Sequence, residues 1–505
     1  MRVRKAFCIL FALIFAAGTG AEAVFATPRS QVIFDWQEVL SVALRELNTF
    51  HEDEALRPIT GDNPPRSSRA LAIVNLAIFE AVNGVTKTYH PFTTLRWDSA
   101  EPISIKAAVR AAAAEALRGL FGTGGTELAA RTPEGFAGRS EILRYEPIED
   151  LIDRTWQSQQ DHLDRQYSTA EISAGTAWGA EVARYILNTR RADGSHLPGS
   201  YEYQLDQDGN PLAGSYITDK YTPDADNPPT EPGWAAVTPF AITELAALTD
   251  QLPGPPPIDW DPGSRWMAEL KEVLVLGDRR RYDPRNYAED VLPAGLEYQR
   301  RVAFFWSQKG LAEDGSKSSA FPTVTPPGQW NGAAVRLAQE HDLNIDETAR
   351  LLALLNVAGA DAMIAAWKVK YDYAFWRPIH ALRHGGEAVD NPVDADWIPL
   401  IPTSEHPEYV SGHSATSGAA ARILALFFGT DSKQVTFYGD DALEDDRWRT
   451  FDSFRAAAEE AAMSRLYGGI HYRSANRDGL LLGELIAERV YAERFRPRRR
   501  NATRK

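Results

Sequence analysis

Apolar residues recur every three or four positions along most of the chain, which is the pattern of helices with one buried face. In the first half this spacing covers residues 35–47, 66–86, 103–120, 147–165 and 172–190, and Gly84 is expected to end the second of these helices. In the second half it covers residues 266–276, 296–308, 331–341, 349–367, 414–428, 453–465 and 480–492. Because alternating β-branched residues are scarce, the pattern predicts an all-α fold.

Residues 191–262 interrupt the helical pattern with many proline, glycine, aspartate and tyrosine residues, and only 243–250 has the composition of a short helix. A long irregular segment inside a domain is usually functional or covers a site. We expect this one either to shape the entrance to a site or to connect two helical halves.

The helix at 349–367 is the most apolar of the chain, and Pro378 is expected to stop it. Three polar residues interrupt it: Arg350, Asn356 and Asp361. Its polarity and its short length predict a buried core helix and no membrane span in the mature chain.

The first 23 residues have the composition of a secretory signal peptide. Arg2, Arg4 and Lys5 precede a short apolar run that ends in small residues, with cleavage expected after Ala23 or, as the alternative, after Ala26. We therefore expect export to the periplasm or the medium. The oligomeric state stays open, a homodimer included.

The chain of 505 residues has a formal net charge of −15. An acidic protein lacks the electrostatic surface that binds nucleic acid or anionic lipid, so neither partner is expected. The only cysteine, Cys8, lies in the predicted leader, and the mature chain keeps Met267, Met363 and Met463 as its methionines. Disulfides and thiolate metal sites are therefore excluded. Low sulfur content suits an enzyme that releases an oxidant.

Three separated groups of basic, hydroxyl and imidazole residues stand out against this acidic background. They are Lys370 with Arg377-Pro378, then Ser411, Gly412 and His413, and last Ser464-Arg465 with His471 six residues beyond Arg465. Guanidinium and ammonium groups neutralise the oxygens of an oxyanion, and a small residue at a helix start exposes backbone N–H groups to it. Imidazoles can bond its central atom or move protons. Together the groups predict a site for a tetrahedral oxyanion.

Each of these residues also has an ordinary structural explanation. Lys370 and Arg377 can form surface ion pairs, Ser411 can be a helix N-cap, and a single histidine is more often structural than a ligand. The presence of all three groups in this order favours the oxyanion site. Aromatic neighbours such as Trp376 indicate that the cations are partly buried.

The three groups resemble the active site of the vanadium-dependent haloperoxidases and of the acid phosphatases in the same superfamily. The family pattern is a lysine, six residues and Arg-Pro; then Pro-Ser-Gly-His; then Ser-Arg, five residues and histidine. Here it is met at 370–378, 410–413 and 464–471, with Val410 in the place of proline. Further likeness at 330–331, 361–367, 375–378 and 406–409 extends the resemblance over most of the chain, most densely from residue 325 onward.

The resemblance implies two helical bundles with the active site in the second. It implies that vanadate is held by Lys370, Arg377, Ser411, Gly412 and Arg465 and bonded to His471, while His413 moves protons. The implied reaction is oxidation of halide by hydrogen peroxide to hypohalous acid, with a small organic molecule as a further substrate. We accordingly assign 24–250 to an N-terminal helical region, 251–495 to a C-terminal catalytic region and 496–505 to a basic tail.

A second histidine, His406, lies seven residues before His413. The resemblance places it where bromoperoxidases carry a histidine and chloroperoxidases a phenylalanine. A histidine there would position or protonate peroxide, which favours bromide or iodide over chloride. Trp367 instead matches an active-site tryptophan of chloroperoxidases, so the halide stays open. Two further histidines are expected in loops near the site: His380 and His384.

An exported phosphomonoesterase would use the same residues, with His471 as nucleophile and His413 as proton donor to the leaving group. The long N-terminal half favours the haloperoxidase, because the small acid phosphatases of the superfamily are much shorter. A binding or scaffold protein in this fold would need none of the site residues, so their presence disfavours it.

Overall fold

The computed structural model describes residues 29–47, 63–99, 101–121, 146–197, 199–218, 229–307, 323–385, 394–440 and 447–498. The predicted signal peptide at 1–23 and most of the predicted tail at 496–505 lie outside the described residues. Both stay predictions, as do the boundaries of the two predicted regions.

Five long helices of the described part form the first bundle. They are α1 Gln31–Leu47, α2 Pro64–Thr86, α3 Ile105–Phe121, α4 Glu146–Gln166 and α5 Thr169–Arg190. Helix α3 contacts the other four and packs most extensively against α5. Gly179 permits this close packing, because a Cβ there would lie 2.1 Å from the Ala108 carbonyl oxygen.

Gly84 does not end α2, contrary to the expectation from the sequence. The helix continues to Thr86, and Lys87 takes the left-handed conformation instead. A Cβ at Gly84 would lie 2.3 Å from the ring of Trp178. The glycine therefore makes room for a tryptophan of α5, a tertiary reason that local sequence cannot show.

The remaining α-helices of the described part form the second bundle and the segments beside it. They are α6 Ala246–Thr249, α7 Arg265–Leu276, α8 Ala294–Phe305, α9 Thr325–Glu340, α10 Ile345–Tyr373, α11 Pro378–His384, α12 Gly412–Phe428, α13 Phe454–Tyr467 and α14 Arg473–Glu493. Helices α12 and α14 pack most extensively, and α10 contacts both of them as well as α2 of the first bundle. The prediction of an all-α fold of two helical bundles is confirmed.

One short antiparallel hairpin was not predicted. Strands β1 Val435–Tyr438 and β2 Trp448–Phe451 pair in the described residues, with Val435 opposite Phe451. Each strand has four residues, too few for alternation to stand out in the sequence.

Helix α10 is longer than predicted. It has 29 residues, so the argument that it is too short to span a bilayer was wrong. By length and composition alone, α2 and α10 are the two described helices that could cross a membrane, yet 89% and 100% of their apolar windows are buried inside the protein. This burial, together with the contacts of α10 to both bundles, indicates that α10 is a core helix.

The polar residues of α10 bind neighbouring segments. Asp361 accepts hydrogen bonds from three successive backbone N–H groups, those of Phe240, Ala241 and Ile242, at 2.6, 2.8 and 3.0 Å. Asn356 donates to Asn331 on α9. The described part of the irregular segment 191–262 therefore lies against α10, and residues 246–249 form the short helix predicted within it.

Pro378 begins a helix, whereas the sequence predicted that it would end the preceding one. Helix α10 ends at Tyr373 because Ala374 takes the left-handed conformation, with φ of 45°. Pro378 then occupies the first position of α11, where a missing N–H costs nothing. Arg377 is the N-cap of α11.

Candidate active site

Most of the predicted site residues lie at or near helix ends. Lys370 is in the last turn of α10, Arg377 precedes α11, Ser411 precedes α12, and Arg465 is in the last turn of α13. His471 lies between α13 and α14. Helix ends concentrate backbone polar groups that need partners, and here they face one small region of the second bundle.

A cavity of about 40 Å³ lies at this point, compared with the ~10–15 Å³ that one water molecule needs. Its lining residues are Pro64, Ser307, Pro326, Met363, Trp367, Ser404, His406, Gly412, His413, Arg465, Ile470 and His471. Five of the predicted site residues are among them. The other three, Lys370, Arg377 and Ser411, are completely buried behind this lining.

Arg377 connects the first and third groups of the motif. Its Nη1 donates to the Ile470 carbonyl oxygen at 2.8 Å and lies 3.1 Å from Nε2 of His471. Its Nε donates to the His406 carbonyl oxygen, and its Nη2 lies 2.9 Å from Nδ1 of His406. Because a guanidinium only donates, Nε2 of His471 and Nδ1 of His406 must be acceptors in these contacts.

Glu408 contacts the other ring nitrogen of His471, and the sequence predicted no role for it. Its Oε1 lies 2.9 Å from Nδ1 of His471 and accepts the backbone N–H of Tyr472 at 2.9 Å. Since Nε2 of His471 is the acceptor, Nδ1 carries the hydrogen and donates it to Glu408. In the sequence, Glu408 stands out only as part of the stretch 406–409 that carries the family resemblance.

Burial changes the proton affinity of both partners. Burial raises the pKa of Glu408 to about 8, while Arg377, the Tyr472 N–H and Lys370 oppose this. Burial, followed by the charges of Arg377, Lys370 and Arg465, lowers the pKa of His471 well below its usual value. His471 therefore keeps an unprotonated Nε2 at neutral pH, as a ligand or nucleophile requires.

Among the described residues, the amine of Lys370 contacts backbone carbonyl oxygens and no carboxylate. Its Nζ donates to the carbonyl oxygens of Pro407 at 2.7 Å and of Glu408 at 3.1 Å. Burial and then the charge of Arg377 lower its pKa well below the usual value, while Glu408 opposes this. A bound anion would restore the charged form, because opposite charge nearby favours it.

Arg465 and His413 meet on another side of the cavity. Arg465 Nη1 donates to the Trp306 carbonyl oxygen at 3.0 Å and lies 3.5 Å from Nδ1 of His413. The donor-only chemistry of arginine makes Nδ1 the acceptor, so Nε2 is the nitrogen of His413 that carries a hydrogen. Trp306 also packs edge-on against His413, with ring centroids 6.3 Å apart.

Ser411 and Gly412 form the start of α12. The Ser411 hydroxyl accepts hydrogen bonds from the backbone N–H of Ser414 at 3.3 Å and from its hydroxyl at 3.0 Å, so it is an N-cap. A Cβ at Gly412 would lie 3.0 Å from the ring of Trp367. The glycine thus brings the positive end of α12 to the cavity without a side chain in the way.

His406 lies against Trp367 on the cavity wall. Their ring centroids are 4.8 Å apart, and Trp367 Nε1 donates to the Thr230 carbonyl oxygen of the irregular segment at 3.3 Å. The expectation that His380 is a loop residue near the site was wrong, because it lies in α11, is buried and does not line the cavity. His384 is the last residue of α11, so it is not in a loop either.

These residues fit an oxyanion such as vanadate. Within the described residues, no cluster of three or more histidine, cysteine, aspartate or glutamate side chains could hold a metal cation. Instead, three buried basic side chains and a helix start surround the cavity, and Glu408 supplies a carboxyl group that contacts His471. Buried basic groups of this kind are stabilised by a polyatomic anion.

Comparisons with known proteins agree with the motif. Residues 350–498 match the family described as the VCPO second helical-bundle domain. Over 410 residues the chain is 25% identical to vanadium chloroperoxidase of Curvularia inaequalis. The aligned region covers 74% of this chain and 62% of that protein. The chain thus spans less than two thirds of this curated relative.

Solved structures share the fold. A bacterial vanadium-dependent iodoperoxidase superposes with a TM-score of 0.67 at 24% identity, covering 93% of this chain and 97% of that one. A bacterial vanadium-dependent chloroperoxidase in its holo form superposes with a TM-score of 0.55 at 15% identity, covering 85% and 92%. Residues 350–498 therefore match the VCPO second helical-bundle domain, and the resemblance to vanadium-dependent haloperoxidases predicted from the sequence is confirmed.

Proposed function

We propose that this protein is a vanadate-dependent haloperoxidase that oxidises bromide or iodide with hydrogen peroxide to hypohalous acid. The observation that carries the proposal is the contact series from Glu408 through His471 to Arg377. It directs the lone pair of His471 Nε2 toward a region with three buried basic side chains. An anion with an electrophilic central atom is the ligand that such a pocket favours.

The residues that would hold vanadate are His471 at the central atom, and Lys370, Arg377, Arg465 and the start of α12 at its oxygens. Bound vanadate supplies a Lewis acid that activates hydrogen peroxide without changing its own oxidation state. Arg377 keeps His406 and His471 oriented, and Glu408 keeps the hydrogen of His471 on Nδ1.

Two histidines would move protons. His413 lines the cavity with its Nδ1 toward Arg465, which leaves Nε2 to exchange a hydrogen with peroxide. His406 lines the same cavity with its Nδ1 toward Arg377, so its Nε2 is likewise the hydrogen-bearing nitrogen. A second proton donor beside the reacting oxygens favours bromide or iodide as the halide in this proposal.

Two assays on one purified sample test the proposal. The first follows bromination of a phenolic dye with hydrogen peroxide and added vanadate, and the second follows hydrolysis of a phosphate monoester without vanadate. We expect turnover in the first assay, its loss in His471→Ala, and its retention in His341→Ala, an exposed histidine outside the cavity. Retained bromination in His471→Ala would contradict the ligand assignment.

A phosphomonoesterase is the second candidate function. The same unprotonated Nε2 of His471 could attack phosphorus, because the pocket that suits vanadate also suits a phosphoryl group in transfer. His413 would then protonate the leaving group. Phosphate hydrolysis without bromination in the paired assays would favour this candidate.

Export is a further part of the proposal, and it rests on the predicted signal peptide at 1–23. N-terminal sequencing of protein from the periplasm or the medium of an expressing bacterium should begin at Val24. A mature chain that retains residues 1–23 would contradict it.

A further inference from the structure

A thioether forms part of the cavity wall. Met363 lines the cavity together with Trp367, Gly412 and His471. Its sulfur is close to the start of α12, since a Cβ at Gly412 would lie 3.5 Å from Met363 Sδ. The side chain is only 1% exposed, so an oxidant in bulk solvent reaches it only through the cavity.

The other two methionines of the mature chain have different surroundings. Met267, on α7, is 2% exposed and does not line the cavity. Met463, on α13, is partly exposed, and its sulfur lies 3.6 Å from Arg473 Nη1 outside the cavity. The described residues thus have one sulfur in the cavity wall, one in the core and one near the surface.

We propose that Met363 is oxidised to methionine sulfoxide by hypohalous acid formed in the cavity, before this oxidant escapes. The inference rests on the proposed haloperoxidase function, which supplies the hypohalous acid. Methionine and hypohalous acid give methionine sulfoxide, halide and one proton. The sulfur loses two electrons, the halogen gains them, and the oxygen ends on the sulfur.

Oxidation at this position would alter the cavity. A sulfoxide replaces an apolar, flexible side chain with a polar one, next to the backbone of Gly412 and the ring of Trp367. The added oxygen would occupy space beside the positive start of α12, where the proposed anion binds. Activity should therefore decline with the number of turnovers rather than with time.

Peptide mass spectrometry after turnover tests this proposal. The vanadate-loaded protein turns over peroxide and bromide in the presence of excess phenolic dye, which consumes the hypobromous acid that escapes. A second sample, without vanadate and peroxide, receives hypobromous acid directly, and a third receives peroxide alone. We expect several-fold more sulfoxide at Met363 than at Met463 in the first sample and the reverse order in the second.

Two variants relate the modification to activity. Met363→Leu conserves the volume of the side chain. The fraction of its initial rate that this variant loses per turnover should be several-fold smaller than in wild type. Met463→Leu is the matched control and should decline like wild type. If the dye is brominated while Met363 stays unmodified, or while Met463 is oxidised to the same extent, this inference is overturned and the proposed function is not. Absence of bromination would overturn the proposed function and this inference together.

Discussion

Glu408 Oε1 and His471 Nδ1 lie 2.9 Å apart, and this contact decides which nitrogen of His471 can bind an oxyanion. Both residues are buried, with side chains 1% and 4% exposed. A carboxyl oxygen that accepts a hydrogen bond from a histidine fixes the tautomer and the orientation of the ring. Glu408 is therefore a positioning residue that acts through His471.

Removal of the Glu408 side chain should weaken the proposed vanadate site. Glu408→Ala should reduce vanadate affinity by about 10–100-fold, because the ring of His471 loses its acceptor. Glu408→Gln should lose less, since an amide oxygen can still accept from His471 Nδ1 and the Tyr472 N–H. Equilibrium dialysis of vanadate measures both affinities. Equal losses in the two variants, or an Ala variant that binds like wild type, would contradict the positioning role.

The same carboxyl group should make stability depend on pH. Burial raises the pKa of Glu408 from 4.5 to about 8, so over this window the folded protein holds a proton that the unfolded chain has released. The contribution of Glu408 to the free energy of unfolding therefore falls as pH rises. Glutamine does not titrate. Urea unfolding at about pH 5, 6.5 and 8 should show that wild type loses stability relative to Glu408→Gln as pH rises. If the difference in the free energy of unfolding stays constant, or changes in the opposite direction, the prediction is wrong.

Replacement of His406 should alter the use of halides. His406→Phe keeps a ring beside Trp367 but removes the Nδ1 acceptor of Arg377 and the hydrogen on Nε2. We expect kcat/KM for bromide to fall by about 10²-fold, the lower end of general acid–base contributions, and the bromide-to-chloride ratio to fall with it. Dye halogenation with each halide measures both. His341→Phe, at the exposed histidine, is the control, and an unchanged ratio in His406→Phe would contradict the role.

Asp361 should stabilise the fold by binding the irregular segment to α10. Asp361→Ala leaves three buried backbone N–H groups without their acceptor, and we expect a loss of about 3–5 kcal/mol in the free energy of unfolding. Asp372→Ala on the same helix removes only an exposed ion pair with Lys368 and should cost less than ~1 kcal/mol. Chemical denaturation measures both, and similar losses would contradict the anchoring role.

Two of the errors in the sequence-based predictions occurred where a residue has two local uses. Proline ends helices and also begins them, and the left-handed Ala374 decided which applies at Pro378. Glycine ends helices and also permits close packing, and Trp178 decided this for Gly84. In both cases the deciding neighbour or conformation is invisible to a local pattern.

The amino-acid sequence by itself determined the all-α class, most of the long helices and the order of the basic and imidazole groups. Hydrophobic periodicity and motif spacing are local properties of the chain, so they can be seen without coordinates. The tertiary structure alone decided that Glu408 meets His471 across 63 positions, that Arg377 contacts His406 as well as His471, and that Met363 faces the cavity. These contacts depend on how α10, α12, α13 and the loop before α12 pack together, and a distance through space is not encoded in a spacing along the chain.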